Sequence, residues 1–152
     1  MTSYFDSSAL VAIYVTEPFS QVARREARST GQIPYTVLHE LEVTTALRVL
    51  HGRGMITPGE LRLLLGQLGG DVEAHRLVET AVDLFQVFGR ATELSRAHAT
   101  RLLCRSLDIL HVAAALELGC TRLVSGDDRQ LALAKTVGLA PIDVKRKSRR
   151  AR

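Results

Sequence analysis

Two short apolar segments, Ser3–Phe5 and Arg122–Ser125, each lead to an acidic residue and then straight into a helical pattern. A buried strand that ends beside an acid, Asp6 in one case and Asp127 in the other, and is followed at once by a helix marks an open α/β sheet. The alternation continues along the chain. A helix is expected from about Ser8, another over Phe19–Arg28, a strand over Gln32–Tyr35, and a long helix over Thr36–Leu50 that ends at Gly52 and Gly54. Thr57-Pro58-Gly59-Glu60 carries an N-cap, a proline at the first helical position and a glutamate at the third, opening a helix to Leu68. Gly69-Gly70 is expected to break it. One or two helices follow over Thr80–Leu103, then a helix over Ser106–Leu118 stopped by Gly119. A helix over Asp128–Val137 closed by Gly138 and a strand over Leu139–Val144 complete the pattern. The prediction is an α/β sandwich around a short, mostly parallel sheet, with helix dominant.

At 152 residues the chain fits one domain. Its net charge of +4 hides an asymmetry: the last eight residues, Lys145–Arg152, carry six positive charges and no negative one, so the body is at −2. Such a tail either contacts nucleic acid, through Lys145, Arg146, Lys147, Arg149 and Arg150, or is a solvated terminus. The apolar stretch Ser7–Thr16 is too short for a membrane span and lacks a basic flank, so no membrane association is expected. Cys104 and Cys120 fall in apolar helical contexts and read as buried free thiols of a reducing, cytoplasmic protein. With no Trp, four Phe and three Tyr in no basic-aromatic repeat, the chain does not offer a stacking platform for single strands.

The dinucleotide, P-loop, hydrolase-elbow and zinc motifs are all missing, so the positions of the carboxylates decide. At about 100° per residue, Glu40, Thr44, Arg48 and His51 form a polar stripe, whereas Glu42 projects among Leu38, Val43, Ala46, Val49 and Leu50. A carboxylate there must be paired, metal-bound or protonated. Repulsion among buried acids further suggests that neutralising Glu42 raises stability. On the helix Ser106–Leu118, Asp108 lies opposite Glu117, between Val112 and Ala115. Its plain alternative is a first-turn acid favoured by the helix dipole, and His111 reads as a satisfied core residue. Asp6 and Asp127 have an equally plain alternative as helix caps, yet the carboxyl ends of parallel strands are also where sites form. Two acids at strand ends and two on inward helix faces suit a hard cation with oxygen ligands, Mg²⁺ or Mn²⁺.

The same residues carry a family resemblance. YFDSSALVAIYVTEP with Asp6, LHELEVTTALR with Glu42, RSLDILHVAAALELG with Asp108 and LVSGDDRQLALAKTVGL with Ser125, Asp127, Arg129 and Gln130 resemble, in order and spacing, the four motifs of PIN-domain ribonucleases of the VapC toxin type. Thr45 departs from a common Asn, Gly126 replaces a bulkier residue, and Asp128 adds a second acid beside Asp127, which register favours. The resemblance implies a three-layer PIN-like α/β/α domain over residues 1–144, with the basic tail 145–152 outside it. It also implies an Mg²⁺-dependent endoribonuclease toxin (Mn²⁺ substituting), a homodimer held by a cognate antitoxin, acting on RNA. In that reading Asp6, Glu42, Asp108 and Asp127 serve catalysis and metal binding, with Ser7, Ser125 and Asp128 supporting.

Three rivals remain at this level: a PIN-fold protein that binds RNA or a partner without cutting, a phosphatase-like hydrolase with Asp6 as nucleophile, and an interaction protein using the helices Leu61–Leu68 and Thr80–Leu103. Retention of all four acids speaks against the first. The second lacks a nearby second acid in Ser7-Ser8-Ala9. The third is compatible with a nuclease.

Overall fold

The computed structural model describes residues 2–146. Within them the chain runs β1 (Ser3–Phe5), α1 (Ser7–Tyr14), α2 (Ser20–Thr30), β2 (Ile33–Tyr35), α3 (Val37–Gly52), α4 (Pro58–Glu73), β3 (Leu77–Glu79), α5 (Leu84–Leu102), α6 (Ser106–Glu117), β4 (Arg122–Ser125), α7 (Asp128–Thr136) and β5 (Ala140–Asp143). β1, β4 and β5 form one parallel ladder and β2 with β3 a second; β1 and β2 are neighbours without ladder hydrogen bonds.

Successive strand residues face opposite ways, and here they feed two separate cores. Tyr4 of β1 and Leu123 of β4 pack against Val87, Ile109, Val112 and Leu133 of α5, α6 and α7. Phe5 and Val124, the next residue on each strand, pack against Leu10, Ala23, Val43 and Leu68 of α1, α2, α3 and α4. The strands are therefore the middle layer of an α/β/α sandwich, as expected. Their all-parallel pairing explains why both strand faces are apolar.

The Thr57–Glu60 capping box forms as expected, each partner bonding the other's backbone N–H. Gly119 and Gly138 end α6 and α7 at φ 65° and 91°, a conformation that costs glycine little.

Four expectations are corrected. α4 runs through Gly69 and Gly70 to Glu73; Leu68 and Val72 pack into the core on either side of the pair, which outweighs the roughly 1 kcal/mol per residue that glycine costs a helix. The strand β3 was not expected. Thr44 is buried, not part of a solvated stripe: its hydroxyl turns back onto the Glu40 carbonyl at 2.7 Å, and the inward face of α3 is the row His39, Val43, Leu47. The cysteines are both free, but Cys104 lies half-exposed in the α5–α6 connection and Cys120 buried after α6, neither within a helix.

Candidate functional site

Parallel pairing of Phe5 with Val124 brings the carboxyl ends of β1 and β4 side by side. Asp6 leaves β1 there and caps α1: its Oδ1 accepts from the Ala9 N–H at 2.8 Å, and the Ser8 hydroxyl bonds the same carboxylate. From the neighbouring strand the Ser125 hydroxyl donates to Asp6 Oδ2 at 2.7 Å and accepts from the Asp127 N–H at 2.9 Å. Asp127 in turn caps α7 through the N–H groups of Arg129 and Gln130, both at 2.9 Å. Both strand-end acids are thus helix caps, and Ser125 joins them into one unit. Asp6 is 4% exposed. Burial pushes its carboxyl above the ordinary value, against the pull of the Ala9 N–H, the Ser125 hydroxyl and His111. Among the described residues Asp6 has no ion-pair partner.

Glu42 stands at the margin of the inward face of α3, half-buried, and is already engaged. The Ser7 hydroxyl donates to it at 2.8 Å, and His111 Nε2 contacts the same oxygen. A carboxylate only accepts, so Nε2 carries a proton. His111 Nδ1 lies 2.8 Å from the Tyr4 hydroxyl, a bond that either charge state of the ring satisfies. Burial would raise the Glu42 carboxyl, but the hydrogen bond and charge of His111, with the Ser7 hydroxyl, hold it below its usual value. Beneath lies His39, whose Nδ1 accepts from the Thr36 N–H at 3.0 Å and whose Nε2 donates to the Phe5 carbonyl at 2.8 Å. Both nitrogens of a neutral ring are then satisfied. Burial, reinforced by His111, lowers the His39 pKa to about 3. Tyr4, His39 and His111 pack ring against ring, with centroids 4.8–5.7 Å apart.

Asp108 accepts the Arg105 N–H at 3.1 Å from the first turn of α6, so the first-turn role is realised. Gln130 Nε2 donates to the Asp108 carbonyl at 3.3 Å and ties α7 to α6. Burial, then the charges of Asp108 and Asp127, raise the Cys104 thiol. Asp128 is exposed. Gly126 is closely covered: a Cβ there would meet Val144 Cγ2 at 3.3 Å and Lys145 Cε at 3.4 Å, so a larger residue needs those side chains to give way. Lys145 and Arg146 are exposed, while Lys147, Arg149 and Arg150 lie outside the described residues.

The donor set is carboxylate oxygen, and a buried, unpaired Asp6 is the kind of group that a hard cation neutralises. On that chemistry the residues fit Mg²⁺ or Mn²⁺. Among the described residues no three His, Cys, Asp or Glu side chains are already assembled around one point. Ser7, His111 and Glu42 superficially resemble a hydrolytic triad. The arrangement is wrong for one, because Ser7 and Glu42 share the same ring nitrogen and Tyr4 holds the other. Sequence reasoning placed His111 in the core but missed its bond to Glu42. Its only sequence signal was a polar residue within the apolar run Ile109–Ala115. Among the described residues no helix is long and apolar enough to cross a membrane.

The model of the PIN domain family matches residues 3–136. Ribonuclease VapC46 of Mycobacterium tuberculosis is 33% identical over 141 residues, covering 91% of this chain and 95% of that protein. Among solved structures, FitAcB from Neisseria gonorrhoeae superposes with a TM-score of 0.60 at 11% identity, over 94% of this chain and 98% of that one. At that identity the likeness concerns the fold.

Proposed function

Since the chain belongs to the PIN-domain family, in its VapC type, we propose that it is an endoribonuclease, the toxin of a toxin–antitoxin pair, which hydrolyses RNA phosphodiester bonds with a divalent metal. The observation that carries this reading is the Asp6–Ser125–Asp127 unit at the carboxyl ends of two adjacent parallel strands, where open α/β sheets build their sites.

Asp6, Glu42, Asp108 and Asp127 would hold Mg²⁺, or Mn²⁺ in its place, with Asp128 as the alternative fourth acid. When bound, such a metal lowers the pKa of water and relieves charge at phosphorus. The protein's own part is to position. Ser125 orients Asp6, Ser7 orients Glu42, and the caps on α1 and α7 hold the strand-end carboxylates rigidly against the sheet. Lys145 and Arg146, continuing into Lys147, Arg149 and Arg150, supply cationic attraction for the RNA backbone. Phe85, Phe88 and Leu63 stand well exposed on α5 and α4. Exposed apolar side chains of this size fit burial by a second copy of the chain and by the antitoxin. The protein so described works in the cytoplasm, with residues 1–144 as the nuclease domain and 145–152 as a basic extension.

The test is incubation of the purified chain, freed of antitoxin, with structured RNAs and Mg²⁺ or Mn²⁺. EDTA and Asp6→Asn should each stop cleavage. Cleavage indifferent to both would refute the metal mechanism, and RNA binding without cleavage would favour the non-catalytic PIN-fold reading.

A further inference from the structure

We infer that His111 is a positioning residue that sets the Glu42 carboxylate in its metal-binding orientation, through a relay that begins at Tyr4 in the core. The inference rests on the metal-dependent reading above and adds a residue to it. Three observations carry it. First, Glu42 lies on α3 and His111 on α6, in helix layers on opposite faces of the sheet, yet Nε2 reaches the carboxylate directly. Second, the ring is not free to turn: Nδ1 is fixed by the Tyr4 hydroxyl at 2.8 Å, and Tyr4 is fully buried on β1. Third, Ser7, the residue beside Asp6, bonds both partners, to Glu42 at 2.8 Å and to His111 Nε2 at 3.2 Å. The strand that delivers Asp6 therefore also fixes, two residues earlier, the ring that orients Glu42. Long acidic side chains have several rotamers, and a carboxylate held by a buried donor loses that freedom before the metal arrives, which is how outer partners tune metal affinity.

The replacement series separates orientation from packing. Asparagine places its amide near Nδ1, keeping the Tyr4 bond and losing Glu42; glutamine reaches the Nε2 position and regains Glu42. Mn²⁺ binding to the full chain is measured by electron paramagnetic resonance of the free ion, with circular dichroism and Tm as fold controls. His111→Asn should weaken Mn²⁺ binding by about 10–100-fold, and His111→Gln should recover most of that loss. Combined with Glu42→Gln, His111→Asn should add nothing, because the histidine acts through that carboxylate. Equal behaviour of the Asn and Gln variants, or losses that multiply in the double variant, would overturn the proposal. If His111→Asn does not fold, Tyr4→Phe, which frees the other end of the ring, should weaken Mn²⁺ binding in the same direction, and unchanged affinity there would overturn it. Failure of the wild-type chain to bind Mn²⁺ at all would overturn the metal reading and this proposal with it. Mn²⁺ binding unaffected by His111 would overturn this proposal alone.

Discussion

The Ser125 hydroxyl donates to Asp6 across two adjacent parallel strands, at 2.7 Å, and no other residue of β4 bonds the Asp6 side chain. Ser125 is itself fully buried, so this is a charge-assisted bond in a dry setting.

Ser125→Ala should cost about 1–3 kcal/mol of stability, the usual penalty when a buried acceptor loses its donor. Urea unfolding measures it. Cleavage should fall as well, since Asp6 and the Asp127 N–H lose the group that joins them. An alanine variant with wild-type stability would show that water replaces the hydroxyl at no cost.

Asp6→Asn should raise the Tm near pH 7 while abolishing growth arrest in cells. Burial raises the Asp6 carboxyl above its unfolded value, so the native state binds the proton more tightly than the unfolded chain does. The ionised form is therefore penalised above the folded pKa, and the penalty fades as pH falls through it. The stability advantage of asparagine should shrink on acidification. Growth arrest by the variant at wild-type protein level would remove Asp6 from catalysis.

Glu42→Gln and Glu40→Gln should separate. The first should lose metal-dependent cleavage and also lower the Tm, because its charge is held by His111 and Ser7. This reverses the sequence-based expectation of a stability gain, which belongs instead to Asp6. Glu40 is exposed and accepts from the Tyr35 hydroxyl at 2.8 Å, a bond glutamine can keep. Its replacement should stay within about 0.5 kcal/mol and leave cleavage nearly intact. An inactive Glu40 variant beside an active Glu42 variant would refute the assignment.

His39 should make the fold acid-sensitive. The unfolded histidine takes a proton near pH 6.5, whereas the native ring, neutral between Thr36 and Phe5, does so only at about 3. Its contribution is complete above pH 6.5 and is lost as pH falls towards 3, at up to about 1.4 kcal/mol per pH unit for one proton. Urea midpoints from pH 7 to pH 4 should drop accordingly, and a His39→Gln chain should show a flatter dependence. Identical slopes would place the acid sensitivity elsewhere.

Deleting Lys145–Arg152 should weaken RNA binding and reduce the salt dependence of log K by about 0.7 for every phosphate that the tail neutralises. Fluorescence anisotropy with a labelled RNA hairpin at several salt concentrations measures this. An unchanged slope would assign the tail to solvent.

Much of this architecture is local and was therefore legible in the linear chain. Asp6 directly follows β1 and Asp127 stands two residues past the end of β4, and the caps that hold them bond N–H groups only two or three residues on. The Thr57–Glu60 box and the stops at Gly119 and Gly138 are local in the same sense. Helix periodicity also distinguished Glu42 from Glu40, because an angular projection needs only one helix. What it could not supply was the partner. Glu42 and His111 are separated by 69 positions, and their meeting depends on how α3 and α6 are rotated on opposite faces of one sheet. That rotation buries Thr44, leaves Leu41 exposed, and turns Glu42 from a repelled charge into a paired one. Likewise the core packing of Leu68 and Val72 carries α4 through two glycines that local propensity reads as a break. Caps and periods arise from bonds between near neighbours, so the sequence alone determined them. The electrostatic state of each acid depends on what packs over it from distant segments, so only the tertiary structure decided that.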